Sequence, residues 1–537
     1  MSEALIVSAL LLQIASADLV DRARQELAAG RPEEAIRLLD VASLPYEGLV
    51  TLGLVHARMK RGEAARSAFD AAIALEPRRP EAWTERGGLA FLEASYGAST
   101  RDLTRALELR DDAYARDLLA ASLSLEGRPE EALQQWNRLG LPTLRALSVG
   151  GLTRTRGSVV RREILPREGE PLHLDEVRET RRRLGELGVL GRVTLRAVPL
   201  GGGKADLETA LDERPALGGR PAELLAGLGV NLLYDRVRLR YYNLAGAGIV
   251  VGALYRWEEH RPLAVAGFSV ARPFGLPFHL HLDAFRGRQD YVLPEPLQGR
   301  GAGGGFRLRA VSGPQTTLET GARISNRSFS AVQPYAAPGR LVSLHALAER
   351  RLIDARRQRL DMSLRVAASA SAWGSDVDCA RGELRIGYWL HSPARQGAAI
   401  EPASIGGQLV VGTGSSRTPL DEMFAPGASP EMLLPLRGHP QAKEGILGVT
   451  PLGRSLLLAN VEGRRRLLDT ALVQLGVVAF VDAARVAGRP EGGPVTLVDG
   501  GVGLRLALKG GTLLRVDYGR GLNDDSRALF VGFNQVF

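Results

Sequence analysis

The residues of this sequence best suited to chemistry are one arginine in a long connecting segment and two acidic residues that follow it. The segment from about 411 to 448 contains Leu436-Arg437-Gly438-His439. A poorly solvated guanidinium needs a carboxylate that can accept two parallel hydrogen bonds from it. Asp482 is the first candidate and Glu462 the second, because each lies on the polar face of a later predicted strand. The pattern therefore predicts an ion pair that fixes a loop.

Other groupings of reactive residue types do not complete a site. His279 and His281 share one face of a predicted strand next to Asp283, but no third set of ligands accompanies them, so interior-facing strand residues are favoured over a metal site. The glycine run 301–305 lacks the Lys-Ser/Thr and the helix of a phosphate loop. Residues 412–416 do not match Gly-x-Ser-x-Gly. The chain is therefore predicted not to be an enzyme, with no cofactor and no metal.

Composition narrows the class of protein further. A chain of 537 residues exceeds what one core usually holds, so several domains are expected. Cys379 is the single cysteine, which excludes an intrachain disulfide and a thiolate metal cluster. The net charge of +9 comes mainly from arginines that are spread along the chain, unlike the compact basic surface of a nucleic-acid-binding domain. No run of about 20 apolar residues occurs, so no transmembrane helix is predicted.

The start of the chain, residues 1–17, is predicted to be a signal peptide. An apolar stretch from Ala4 ends in Ala15-Ser16-Ala17, a small-residue cleavage site. Its first residues include Glu3 and neither Lys nor Arg, so an ordinary first helix is the alternative.

Residues 18–142 carry a helical repeat. The sequence Gly-Arg-Pro-Glu-Glu-Ala occurs at 30–35 and again at 127–132, and a related version lies at 61–65. The outer copies are about three periods of a 34-residue helix-turn-helix repeat apart. In each, Gly ends one helix and Pro or Glu opens the next. The segment resembles tetratricopeptide repeats, which implies a solenoid that docks a peptide or protein; a spacer without a ligand is the alternative.

Residues 143–214 change to a β-α-α-β-β order. Arg154-Thr155, Arg161-Arg162-Glu163 and the segment 188–193 resemble a polypeptide-transport-associated (POTRA) domain. The open edge of such a small sheet can accept an incoming strand. A rigid adaptor between the repeats and the following domain is the alternative.

From residue 215 to the end, apolar residues alternate with small or charged ones. Val237, Leu239 and Tyr241, for example, alternate with arginines. At roughly 20 residues per strand and turn, this length allows about 16 strands of a transmembrane β-barrel. The predicted fold is therefore multidomain α + α/β + β: a helical solenoid, one POTRA-like βααββ domain, and a 16-stranded antiparallel transmembrane barrel.

Several motifs in this region resemble those of one family. The residues 436–439 resemble the (Val/Leu)-Arg-Gly-(Phe/Tyr) loop tip of the bacterial surface-antigen superfamily, the BamA–TamA outer-membrane assembly barrels, with His439 where an aromatic residue is usual. Residues 480–484 resemble its Phe-x-Asp-x-Gly motif, 243–248 its Asn-Leu-x-Gly-x-Gly motif, and Phe537 its terminal assembly signal.

The resemblance implies a loop folded back into the barrel, with Arg437 pinned to Asp482. It also implies a weakly paired seam between the first strand, near Ala226 to Leu233, and the last, 528–537, in which Phe530, Gly532, Phe533 and Phe537 are the seam and assembly-signal residues. A seam of this kind has to exchange partners, because an open strand edge in lipid is costly.

The function implied is the insertion or translocation of polypeptides across a bacterial outer membrane, with the N-terminal domains in the periplasm. The implied partners are membrane lipid, a polypeptide substrate and, through the repeats, a periplasmic or inner-membrane protein; nucleic acid is excluded. Two alternatives remain at this point: a two-partner-secretion translocator, and a passive pore or anchor that displays the repeats.

Overall fold

The computed structural model describes residues 17–40, 43–219, 221–293, 295–355, 357–392, 400–429, 433–470, 472–508 and 513–533. Phe537 and nearly all of the predicted signal peptide therefore lie outside the described residues. The chain divides into two compact units. One contains the residues up to Gly150 together with Pro166–Val177 and Thr194–Thr209, and the other contains Gly151–Leu165, Arg178–Val193 and everything from Ala210 onward.

The N-terminal segment is built from successive helices. Proline in the first turn starts three of them, where its missing N–H costs nothing. Gly30 and Gly127 end the preceding helices with positive φ angles of 75° and 76°. Helix pairs pack closely because Gly53 and Gly87 leave space for Phe69 and Leu103. The helices are α1 (17–28), α2 (Pro32–Leu39), α3 (Tyr46–Arg58), α4 (Gly62–Leu75), α5 (Pro80–Leu92), α6 (Tyr96–Leu109), α7 (Ala113–Leu125) and α8 (Pro129–Asn137).

The next segment contains a three-stranded sheet with the spatial order β1-β3-β2. Along β3 the buried residues alternate with exposed ones, as expected for a sheet with one covered face. The element order β-α-α-β-β is the one predicted from the sequence. The elements are β1 (Thr143–Gly150), α9 (Gly157–Arg161), α10 (Leu174–Glu186), β2 (Leu190–Gly201) and β3 (Lys204–Glu213).

The C-terminal segment forms a closed barrel in which consecutive wall strands pair antiparallel. It is preceded by helix α11 (Pro221–Leu232). The strands are β4 (Arg236–Leu244), β5 (Ile249–Arg256), β6 (Leu263–Ala271), β7 (His279–Tyr291), β8 (Leu297–Val311), β9 (Thr316–Phe329), β10 (Gly339–Ala355), β11 (Gln358–Ser369), β12 (Cys379–His391), β13 (Ala403–Gly414), β14 (Ala442–Lys443), β15 (Ile446–Leu447), β16 (Ser455–Asp469), β17 (Val473–Ala487), β18 (Val495–Leu508), β19 (Leu513–Gly521) and β20 (Arg527–Phe533).

The two faces of the wall differ in polarity, as the alternation predicted. Val461, Val481 and Val502 point outward and are 55%, 51% and 60% exposed, whereas Glu462 and Asp482 point inward and are almost completely buried. An extended apolar outer surface is costly in water and favourable in lipid. The predicted combination of helical repeats, a small sheet and a β-barrel is confirmed.

The position of the first barrel strand is a correction. The sequence predicted this strand near Ala226 to Leu233, but the structure places helix α11 there and starts the wall at β4. Pro221 sets a helical φ in the first turn, and the leucines of this segment recur at spacings of three and four. Strands β14 and β15 belong to the long connection between β13 and β16, which pair with each other directly. Among the helices of the described residues, none combines the length and the apolarity needed to cross a membrane.

Candidate functional site

The long connection between β13 and β16 places residues Leu436–His439, called the loop tip below, in a buried position. Leu436 is completely buried and Arg437 is 1% exposed. Burying a leucine side chain contributes about 1.5–3 kcal/mol. The loop tip is therefore held first by an apolar cluster from the loop and the surrounding strands, which consists of Val410, Phe424, Leu434, Leu436, Leu456, Leu458, Ala484, Val486 and Leu497.

Arg437 contacts both of the acidic residues named from the sequence. Its Nε and Nη2 donate to Asp482 Oδ2 and Oδ1 at 2.8 and 2.7 Å, and its Nη1 donates to Glu462 Oε2 at 2.5 Å. The backbone N–H of Arg437 donates to Asp482 Oδ2 at 3.0 Å. The guanidinium also lies 3.6 Å from the ring centroid of Phe480. Asp482 thus accepts the bidentate pair, and Glu462 takes the remaining side of the guanidinium.

Neighbouring polar groups complete the hydrogen bonds of this pair. Asn460 Nδ2 donates to Asp482 Oδ1 at 2.8 Å and to the carbonyl of Pro435 at 2.7 Å. Gln408 donates to Asn460 Oδ1 at 3.0 Å, and Arg464 Nε donates to Glu462 Oε1. A buried ion pair is stable only when its remaining donors and acceptors are satisfied. The carboxylates of Asp482 and Glu462 and the guanidinium groups of Arg437 and Arg464 meet that condition here.

His439 has two acidic partners that sequence reasoning missed. Its Nδ1 lies 2.7 Å from Asp499 Oδ1, and its Nε2 lies 2.8 Å from Asp524 Oδ2. Asp499 also accepts from the backbone N–H of Gly438 at 2.5 Å. An imidazole donates from both nitrogens only when it is protonated, so the geometry fits an imidazolium between two carboxylates. The loop tip therefore carries two adjacent sets of ion pairs, one on Arg437 and one on His439.

Replacing His439 by Phe is expected to weaken the seating of the loop tip by about 1–3 kcal/mol, since the buried Asp499 would lose a charged partner. Trypsin cleavage after Arg437 in the detergent-solubilised protein measures this, because a seated Arg437 is inaccessible. The Asp499 side chain is 0% exposed and that of Asp524 is 40% exposed. Asp499→Asn should therefore increase tryptic cleavage after Arg437 more than Asp524→Asn does. A larger increase in Asp524→Asn would contradict the assignment.

Two sequence motifs from different predicted domains meet at the end of wall strand β4. Asn243, from the Asn-Leu-x-Gly-x-Gly motif, donates through Nδ2 to Thr155 Oγ1 at 2.8 Å. Glu213 accepts from Thr153 Oγ1 at 2.7 Å and from the backbone N–H groups of Arg154 and Thr155. Although burial alone would raise it, these hydrogen bonds lower the pKa of Glu213 to about 2.

Replacing Glu213 by Gln is expected to reduce the local stability of β3 by about 2 kcal/mol at pH 7. Because the folded-state pKa lies below the unfolded value, the stabilisation is complete above about pH 5 and is lost as the pH falls toward 2. After correction for intrinsic rates, the amides of residues 204–213 should therefore exchange faster in the variant than in the wild type at pH 7. Near pH 2 the two proteins should exchange at equal rates.

The matched control is Glu208→Gln on the same strand, since the Glu208 side chain is 50% exposed and pairs with Arg196 at the surface. An equal loss of protection in both variants would contradict the role given to the Glu213 hydrogen bonds.

The residues named for the seam lie on or beyond β20. Phe530 is 3% exposed and points inward, whereas Leu529 is 68% exposed and points outward. Gly532 is buried next to the Phe530 ring, and Phe533 is the last residue described. In the closed barrel β20 lies beside β4, so the seam is the contact between these two strands. Sequence reasoning missed Tyr234, which contacts Phe530 and Val531 at this seam.

No protein-family model matches this sequence, and no curated protein matches it. Solved structures do resemble it. CdiB from Escherichia coli is 11% identical and aligns over 73% of this chain and 75% of its own, with a TM-score of 0.52. CdiB from Acinetobacter baumannii is 13% identical, with coverages of 83% and 85% and a TM-score of 0.48.

A BamA from Haemophilus ducreyi lacking POTRA domains 1–3 is 13% identical, covers 76% of this chain and 92% of its own, and has a TM-score of 0.43. Only the Escherichia coli CdiB exceeds a TM-score of 0.5 among these three, and at 11% identity it establishes the fold alone. Over about three quarters of its length this chain thus has the fold of CdiB, and the resemblance stated from the motifs is confirmed at the level of the fold.

Proposed function

We propose that this protein inserts polypeptides into the bacterial outer membrane or translocates them across it, through the barrel and its seam. The observation that carries the proposal is the loop tip, fixed inside a closed barrel by Arg437, Asp482 and Glu462. A passive pore has no need of a fully buried three-residue ion pair in its interior, because such a pair is expensive to desolvate. A loop that must hold one defined position while strands rearrange does need it.

The polarity of the wall supports the membrane location. Its outward residues are apolar and its inward residues charged, the arrangement that suits a barrel in lipid. Outer-membrane location, with the N-terminal domains in the periplasm, is therefore part of the proposal. The proposed domains are a signal peptide at 1–17, tetratricopeptide-like repeats at 18–142, a POTRA-like domain at 143–214 and the barrel at 215–537.

Each N-terminal segment has a proposed role in delivering substrate. The sheet order leaves β1 and β2 at its edges, and an edge strand can bind an extended polypeptide through backbone hydrogen bonds. The helical repeats offer a surface for a periplasmic or inner-membrane protein. Substrate would thus pass from the repeats and the small sheet to the barrel.

Two measurements test the proposal. Heat-modifiable migration of the protein from fractionated membranes is expected, because a folded barrel runs differently before and after boiling. Profiling of surface proteins after depletion is expected to show the loss of several outer-membrane or exported proteins. Loss of one secreted protein would instead indicate a two-partner-secretion translocator. An unchanged profile together with steady planar-bilayer conductance would indicate a passive pore or anchor and refute the proposal.

A further inference from the structure

A side chain occupies backbone hydrogen-bonding groups of the last strand at the seam. The hydroxyl of Tyr234 donates to the carbonyl of Val531 at 2.8 Å and accepts from its N–H at 3.1 Å. In an antiparallel sheet the N–H and C=O of one residue point toward the same neighbouring strand. Val531 lies opposite Val516 of β19, and Tyr234 bonds both its N–H and its C=O. One hydroxyl thus supplies the donor and the acceptor that a neighbouring strand would supply.

The ring of Tyr234 is held in this position by its surroundings. It stacks on Phe530 with a centroid separation of 5.5 Å and an interplanar angle of 29°. Arg515 lies 5.0 Å from the Phe530 centroid, and Arg236 lies 5.6 Å from the Tyr234 centroid. The stack orients the hydroxyl toward Val531 without any covalent or metal link, so the contact can be released.

The backbone beside Tyr234 is strained. Tyr234 lies in the short connection between α11 and β4, and the next residue, Asp235, has a φ of 47°. A left-handed conformation is unfavourable for a residue other than glycine. Asn231 in α11 accepts a hydrogen bond from Arg236 Nε at 3.0 Å and helps to hold the connection. The strain at Asp235 is therefore part of the cost of holding Tyr234 at Val531.

We infer that Tyr234 is a positioning residue that substitutes for a strand at the Val531 edge and must leave before a polypeptide strand can pair there. An unsatisfied backbone group in a membrane is costly, and the hydroxyl removes that cost at Val531, where it bonds the N–H and the C=O in place of a strand. An incoming strand provides a longer ladder than a single hydroxyl and therefore displaces it. The inference rests on the proposed function, since it gives the seam a residue that controls access.

The test compares Tyr234→Phe, which keeps the ring and removes the hydroxyl, with the wild-type full-length protein in lipid nanodiscs. Tyr518→Phe is the control, because Tyr518 lies on the neighbouring strand and is exposed on the outer face. Amide exchange in residues 529–533 should rise roughly fivefold to tenfold in Tyr234→Phe and stay unchanged in the control. Phe530→Leu, which keeps the hydroxyl but removes the stacked ring, should give a smaller rise.

A second readout separates control of access from simple loosening. The probe is a synthetic peptide with the sequence of β4, residues 236–244, which is the strand beside β20 in the barrel, and it carries a photo-crosslinker. It should crosslink to β20 roughly fivefold more in Tyr234→Phe than in wild type or Tyr518→Phe. Equal exchange and equal crosslinking in all three proteins would overturn the inference. Faster exchange and stronger crosslinking with an unchanged surface-protein profile would support the role of Tyr234 and refute the proposed function instead.

Discussion

Replacing Arg437 with alanine is expected to abolish polypeptide export while the barrel still folds and inserts. The change leaves Asp482 and Glu462 buried with their shared guanidinium removed, and breaking a buried ion pair on one side costs about 3–5 kcal/mol. The substitution should destabilise the loop tip and leave the wall intact, because the wall strands are held together by their own backbone hydrogen bonds. In the same cells, export assays should therefore show a loss of export, whereas heat-modifiable migration should show a folded barrel.

The matched control is Arg417→Ala in the same long connection. The Arg417 side chain is 74% exposed and reaches Asp378 only at 3.6 Å, so its removal should be nearly neutral. The double variant Arg437→Met with Asp482→Asn removes one positive and one negative charge together and leaves Glu462 paired with Arg464. Export that stays lost in the double variant indicates that the ion pair itself is required. Wild-type export in Arg437→Ala would contradict the role of the loop tip.

Replacing Gly519 with alanine is expected to displace the loop tip without altering any charged residue. An added Cβ at Gly519 would overlap the backbone carbonyl of Arg437 and the N–H of Gly438, and backbone atoms cannot rotate away as a side-chain end can. Overpacking a site of this kind typically costs about 1–3 kcal/mol and occasionally more. Export should fall as in Arg437→Ala, and trypsin should now cleave after Arg437.

Gly463→Ala supplies the matched control for this steric test. Gly463 lies in wall strand β16, and an added Cβ there would meet no atom within 4 Å. It should therefore leave both export and tryptic cleavage unchanged. Protection of Arg437 from trypsin in Gly519→Ala would show that the loop tip tolerates the methyl group and would contradict the close approach described for β19.

The ion pair on Arg437 could be predicted because each of its residues lies in a recognisable sequence pattern. Glu462 and Asp482 are acidic residues on the polar face of alternating strands, and Arg437 lies in a distinctive tetrapeptide. Asp499 and Asp524 lie in no such pattern, since one is a single acidic residue near glycines and the other lies in a turn. Their contact with the loop tip depends on how the closed barrel brings distant strands together, which periodicity does not encode.

The misplaced first strand has a different cause. Residues 226–232 alternate apolar residues with glycine or asparagine, which favours a strand. The leucines of 224–233 recur every three or four residues, which favours a helix. Pro221 and Glu223 stabilise the first turn of α11, because proline favours a helix start and an acidic side chain is favourable near a helix N-terminus. Tyr234 follows directly, but a single tyrosine between two elements carries no periodic signal. Its contact with Val531 emerges only from the tertiary structure.

The hydrogen bond between Asn243 and Thr155 also has a mechanical consequence. Asn243 lies near the end of β4, which flanks the seam, and Thr155 is fixed to Glu213 at the end of β3. Under the proposed function, a chain bound at an edge of this sheet would pull on the central strand β3 and, through these hydrogen bonds, on the end of barrel strand β4. Binding of a polypeptide to the small sheet would then exert a force on a strand that flanks the seam.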